Sequence, residues 1–301
     1  MIDHWLPLPG ILVVAALLLL FLYMAFAPWP GQMARYTKGE RVLLERKGQT
    51  LVYYQRGAGQ PIVLAASAGR ESSDFNELTD ALVSAGYRTV TIEAAGIGEA
   101  DFPEHKPTLY DLAADMEYVL DDAVPQQEQV TVLGHAFGNR LVRAFAHRYP
   151  ERVKSVVLVA AGGIRAVPDR AAKALRRCFN PILPVSIRLK HIRYAFFADG
   201  NTIPDYWLRG WHADTAVMQG QANGMIDSSE WWGAGGKPIL LIQGLEDRIA
   251  PKKDTADLML QEFGDRVQVV LAGRAGHALL PERPELIASS VVRFLEEQYQ
   301  Q

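Results

Sequence analysis

"TVLGHAFGNR", residues 131–140, runs from an apolar stretch through a Gly-x-x-x-Gly turn into the amphipathic run "NRLVRAFAHRYP". An apolar run, a sharp turn flanked by glycines, and then apolar residues at three- and four-residue spacing describe a buried strand that turns directly into a helix. Such a turn presents its central residue, here Ala136, at the end of the strand. The meaning of that position depends on what surrounds it.

Outward from this turn, short and nearly all-apolar runs recur: "PIVLAAS" (61–67), "RTVTIEAA" (88–95), "QVTVLGH" (129–135), "SVVLVAAG" (155–162), "PILLIQG" (238–244) and "RVQVVLAG" (266–273). Runs of this kind belong to parallel sheets covered on both faces. Between them, "SDFNELTDALVSAG", "LYDLAADMEYVLDDAV", "KKDTADLMLQEFG" and "PELIASSVVRFLEEQ" carry helical periodicity. "RVLLERKGQTLVYYQRG" reads as a hairpin turning at Lys47-Gly48. The alternation predicts an α/β domain. The interval from Gly163 to Gly236 is too long for a loop in a compact domain and is rich in arginine and aromatic residues, so it predicts a helical cap over the sheet. The expected organisation is an N-terminal tail (1–5), an apolar helix (6–27), a linker (28–38), a core (39–162 and 237–301) and a cap (163–236).

With 301 residues, 49% of them hydrophobic, the chain can bury a sizeable core. A formal charge of −3 provides no basic field for nucleic acid, and no nucleic-acid-binding motif is present. The single cysteine, Cys178, excludes an internal disulfide and reads as a small core or lid residue. Seven scattered histidines without HExxH or paired CxxC spacing predict no metal site.

The start of the chain differs in character. "LPLPGILVVAALLLLFLYMAFA", Leu6 to Ala27, carries no charge and is long enough as a helix to span a bilayer core of about 30 Å. It predicts a single-pass transmembrane helix, with Trp5, Tyr23 and Trp29 as an aromatic belt. The rival reading, a cleaved signal peptide ending at Ala25-Phe26-Ala27, is weakened by an n-region "MIDHW" without lysine or arginine. Arg35, Lys38, Arg41, Arg46 and Lys47 follow the apolar run, so the positive-inside rule places the globular part in the cytoplasm.

From about Gly39 onward the sequence resembles the α/β-hydrolase superfamily. Gly134-His135-Ala136-Phe137-Gly138 matches the G-x-S-x-G nucleophile elbow with alanine at the serine position, so it resembles a GHAFG subgroup. "GLEDRIAP" places Asp247, and "GRAGHALLPERPE" places His277, where the resemblance puts the triad acid and base. "AAGIGEAD" (94–101) resembles a loop that usually reads R-G-x-G-x-S-D, with Ala100 at the serine. The backbone N–H groups of Phe137 and of Ala68, after "PIVLAAS", are the implied oxyanion-hole donors. The His-Gly pair that usually opens the oxyanion loop is replaced by Ala66-Ser67, and Ser67 reads poorly as a displaced nucleophile.

Without a hydroxyl at Ala136 no acyl-enzyme can form there, and the chain is not a serine hydrolase as written. Three readings follow. The resemblance extends to cofactor-free dioxygenases and certain lyases, which implies a non-hydrolytic enzyme using His277 with Asp247 as base and no cofactor. A second is a catalytically silent binding or accessory protein of a membrane assembly. A third takes Ala136 as an engineered replacement of serine in an ordinary membrane-tethered esterase. The implied partners are a hydrophobic or amphipathic small molecule, the lipid bilayer and another membrane protein. Arg70, beside the oxyanion loop, reads either as a carboxylate contact or as a surface residue.

Overall fold

The computed structural model describes residues 8–26 and 28–299. An apolar helix, α1 (Leu8–Phe26), precedes the sheet. Its strands are β1 (Glu40–Arg46), β2 (Gln49–Gly57), β3 (Pro61–Ala65), β4 (Arg88–Ile92), β5 (Val130–His135), β6 (Val153–Val159), β7 (Ile239–Gly244) and β8 (Val267–Ala272). Interspersed among them are α2 (Asn76–Ser84), α3 (Leu109–Ala123), α4 (Phe137–Arg148), α5 (Asp169–Cys178), α6 (Val185–Phe196), α7 (Ala213–Gly224), α8 (Ser228–Trp231), α9 (Ala256–Phe263) and α10 (Pro284–Tyr299).

Strand order is β1-β2-β4-β3-β5-β6-β7-β8, antiparallel at the β1/β2 and β2/β4 pairings and parallel from β4 to β8. The predicted hairpin forms because Lys47 (φ 50°) and Gly48 (φ 81°) both take the left-handed conformation that a two-residue turn between twisted strands requires. From β3 the chain moves outward to β4 and then crosses back to β5 on the other side. Ligands of open α/β sheets lie at such a reversal, beyond the carboxyl ends of the strands.

Strand alternation divides the apolar runs between two cores. Val63, Val132, Val156 and Leu241 face one side, with α3, α4 and Trp231 over them. Ile62, Leu64, Leu133, Val157 and Ile242 face the other, under α2 and α10. The runs are apolar throughout because both faces are covered. A capping box starts α3: the Thr108 hydroxyl accepts from the Asp111 N–H, and the Asp111 carboxylate accepts from the Thr108 N–H.

Several predicted strands stop short of their apolar runs. β3 ends at Ala65, β4 at Ile92 and β6 at Val159, because the chain then bends over the sheet end: Ala160 (φ 52°) and Gly163 (φ 149°) leave the extended region just after β6. α9 starts at Ala256, after a 3₁₀ turn at Lys252–Asp254 and Thr255 in a non-helical conformation. Between β6 and β7, α5, α6 and the Trp207–Trp211 segment build a third cluster, with Phe196 and Phe197, that reaches Ile249 and Ala278. Ala222, Trp231 and Trp232 instead join the main core beside α4. Residues 28–38 are tied down: Pro30 and Gln32 carbonyls accept from Trp211 and Gly210, and Ala34 donates to Glu71 at 2.7 Å.

The expectation of a membrane span is overturned: among the described residues, no helix is long and apolar enough to cross a membrane. Within α1 the side chains described run only from Gly10 to Leu19. Ten residues rise about 15 Å, half of a bilayer core. The tail at 1–5, with Trp5, and residues 6, 7 and 27 of the expected span lie outside the described residues. The single-pass cytoplasmic placement, which rested on that span, is withdrawn with it.

Just after β4, Glu93 is buried, with its Oε1 accepting from the N–H groups of Ser72 (3.0 Å) and Ala94 (3.3 Å). Burial, reinforced by the neighbouring Glu71 carboxylate, pushes its acid up to about 8. An unfolded glutamate titrates near 4.5, so the stability contributed by the protonated form is complete below that pH and is lost as pH rises towards 8. Urea titrations should show the parent losing about 2 kcal/mol more than Glu93→Gln between about pH 5 and pH 7. Parallel pH curves for the two proteins would refute the assignment.

Candidate active site

The turn between β5 and α4 is held by close backbone contact. A side chain on Gly134 would place Cβ 2.3 Å from the Gly138 backbone, and one on Gly138 would lie 2.0 Å from the Ala65 carbonyl oxygen. Both are far inside van der Waals contact, so the two glycines are obligatory. Ala136 between them sits at φ 50°, ψ −105°, a conformation rarely adopted by a residue with a side chain. Its N–H donates to the Val159 carbonyl (3.1 Å), and Asn139 clamps the same strand end, donating to Val159 O (2.8 Å) and accepting from Val159 N–H (3.1 Å). The strain at Ala136 is thereby over-determined by β6.

Asp247 and His277 meet, although 30 residues separate them: His277 Nδ1 lies 2.8 Å from Asp247 Oδ2. Asp247 Oδ1 accepts from the N–H groups of Ile249 (2.9 Å) and Ala250 (2.7 Å), while Gln243 Nε2 donates to Oδ2 at 2.9 Å. With both carboxylate oxygens occupied as acceptors, His277 Nδ1 is the donor, and Nε2 is left as the basic nitrogen. Both side chains are buried.

The His277 loop is fastened from two sides. Glu282 accepts from Gly276 N–H (2.8 Å) through one oxygen and from Ala198 N–H (2.8 Å) through the other, joining this loop to the end of α6. His135 Nε2 lies 2.9 Å from the His277 carbonyl oxygen; a carbonyl only accepts, so Nε2 carries the proton. Burial, with the adjacent His277 ring acting in the same sense, pushes His135 down to about 4, so it is neutral at physiological pH. His135 is a tether from the elbow to the base loop.

A cavity of about 540 Å³ opens at this strand end. Ala136, Phe137, Ala68, Ser67 and His277 all line it, as do Phe179, Phe196 and Val217 from the segment between β6 and β7. Among the described residues, the N–H groups of Ala68 and Phe137 have no protein acceptor. Ser67 makes no hydrogen bond to His277, so the arrangement does not activate it. Cys178 is buried, donates to the Ala174 carbonyl at 3.3 Å, and is pushed up to about 12 by burial, which leaves a protonated core thiol.

Arg70 corrects both of its expected readings. It is buried and makes a paired contact with Asp74 (2.8 and 2.7 Å), donates to the Arg209 and Gly210 carbonyls, and lies over the Trp207 and Trp211 rings. Four of its five N–H donors are spent within the chain.

The supporting residues escaped the sequence reading. Asn139 and Arg140 directly follow the elbow motif and Gln243 lies in the run before Asp247, but polar residues in amphipathic or apolar runs carry no signal of their contacts. Gln219 of α7, which accepts from Gly69 N–H at 2.8 Å and so fixes the loop after β3, has no sequence signature at all. Among the described residues, no group of three His, Cys, Asp or Glu side chains is placed to hold a metal ion.

The family described as "alpha/beta hydrolase fold" matches residues 61–184. Protein ABHD8 of Bos taurus is 23% identical over 296 residues, covering 88% of this chain; the chain spans 65% of that relative's length. Cis-3-alkyl-4-alkyloxetan-2-one decarboxylase of Shewanella oneidensis is 30% identical over 149 residues, 48% of this chain and 46% of its own. Among solved structures, one described as a membrane phospholipase A, a bacterial virulence factor, superposes with a TM-score of 0.72 at 20% identity, covering 97% of both chains.

Proposed function

We propose that this chain, an α/β-hydrolase-fold protein whose nucleophile seat carries Ala136, is a non-hydrolytic enzyme in which His277, oriented by Asp247, takes a proton from a hydrophobic small molecule. The observation that carries the reading is the 2.8 Å His277–Asp247 contact, supported by three further donors to the carboxylate and opening on a cavity of about 540 Å³. A site abandoned to packing has no reason to keep an acid, its donors and a basic nitrogen assembled around an open cavity. The backbone N–H groups of Phe137 and Ala68 serve as anion stabilisers, and Phe137 begins α4, whose N-terminal dipole acts in the same sense. Residues 163–236 serve as the cap that roofs the cavity. The relative named a decarboxylase, and not a hydrolase, lends support to non-hydrolytic chemistry on this scaffold.

A generic probe of a buried base tests this without knowledge of the substrate. 5-Nitrobenzisoxazole is small and apolar, and it opens when a base removes its ring proton. Turnover by the purified protein should exceed that of a folded His277→Ala variant by at least about a hundred-fold. Equal rates would sink the reading.

A further inference from the structure

We infer that the ligand of this cavity is an amphiphile with an anionic head group, received by Arg140 while its apolar body lies against the roof. The inference deepens the reading above by naming the ligand's charge, and it rests on that reading only in taking this cavity as the ligand site.

Arg140 stands in the first turn of α4, four residues after Ala136, and lines the cavity. Among the described residues its guanidinium has no hydrogen bond, ion pair or aromatic face. Its neighbours in charge are engaged within the chain: Arg143 donates to the Asn139 and Gly162 carbonyls through Nε and Nη2 and lies over Trp231 and Trp232, and Arg70 is paired with Asp74. Arg140 is half-buried, and burial, with no acid to offset it, lowers its pKa. A guanidinium partly withdrawn from water without a counter-charge carries a desolvation cost, and a ligand that brings the charge offsets it.

The other ionisable side chains on the cavity wall agree in sign. Arg165 and Arg176 are exposed and line it with no ion pair among the described residues, against a single carboxylate, Asp254, and the His277 imidazole. The rest of the wall is mainly apolar, with Phe137, Val167, Leu175 and Phe179 among its residues. One half-buried cation, two exposed cations and an apolar wall select an anion carried on an apolar body. A neutral amphiphile would leave Arg140 unpaired, and a cationic one would be repelled.

Calorimetric binding of decanoate, decyl phosphate and decanol to the full chain and to its Arg140→Gln and Arg140→Lys variants tests the inference. One or both anions should bind about 10- to 100-fold more tightly than decanol. Arg140→Gln should erase that preference while leaving decanol binding in place, which also reports a folded cavity, and Arg140→Lys should keep part of it. Whichever anion binds more tightly identifies the head group. Equal affinity for decanol and both anions, or an anion preference that survives Arg140→Gln, overturns the inference. Because binding is read without turnover, a failure of His277 as base would leave these affinities unchanged, so the two readings fail separately.

Discussion

Ala136→Ser should convert the protein into a target of fluorophosphonate probes and raise its turnover of short-chain esters by roughly a thousand-fold or more over the parent. The reasoning runs from the backbone. The seat is already built: Ala136 holds φ 50°, ψ −105°, and the two glycines that allow the turn are present. Replacing alanine by serine adds one oxygen at the cavity wall and asks for no new backbone strain. His277 shares that wall, has its Nδ1 committed to Asp247 at 2.8 Å, and leaves Nε2 to accept the serine proton. In serine hydrolases loss of the nucleophile costs roughly a million-fold in turnover, so recovery of even half of that range on a logarithmic scale is easily measured. Labelling of the variant but not of the parent is the expected gel result. A folded variant that stays unlabelled would mean that the base or the oxyanion donors no longer face position 136, and it would weaken the proposed chemistry as well.

A second substitution acts on the fold. Gly138→Ala should destabilise the protein by more than about 4 kcal/mol, or prevent soluble expression, with Gly134→Ala close behind. The added Cβ at 138 would lie 2.0 Å from the carbonyl oxygen of Ala65, and the one at 134 would lie 2.3 Å from the Gly138 backbone. Ala65 belongs to β3, whose five residues are all buried between β4 and β5, so that backbone has no direction in which to yield. Gly220 of α7 is a control, since a Cβ there meets nothing within 4 Å and alanine is the better helix former. Thermal unfolding of the three variants separates the cases. A Gly138→Ala protein with an unchanged midpoint would show that α4 can move off β3.

These predictions differ in how far they were visible beforehand. The apolar runs predicted the core strands because burial on both faces demands apolar residues at every position, and that demand is local in sequence. The runs overran the strands wherever the chain turned over the sheet end, since residues such as Ala66 and Ala160 remain buried after the backbone has left the ladder. Arg70 shows the opposite limit. Nothing near it in sequence announces Trp207 and Trp211, which reach it from the segment that follows α6.

Residue type and spacing alone carried the α/β alternation, the Gly-x-x-x-Gly turn with Ala136 at its centre, and the order of Ala136, Asp247 and His277 along the chain. These are properties of spacing and residue type, and spacing survives without coordinates. The fold was needed to show that His277 and Asp247 share a hydrogen bond, that His135 ties the His277 loop to the turn before α4, that Arg70 is spent on Asp74, and that Arg140 lines the cavity with no partner among the described residues. Each of those outcomes depends on groups brought together from distant parts of the chain, or on the absence of such a group, and a charged side chain looks the same in the sequence whether its partner is present or missing.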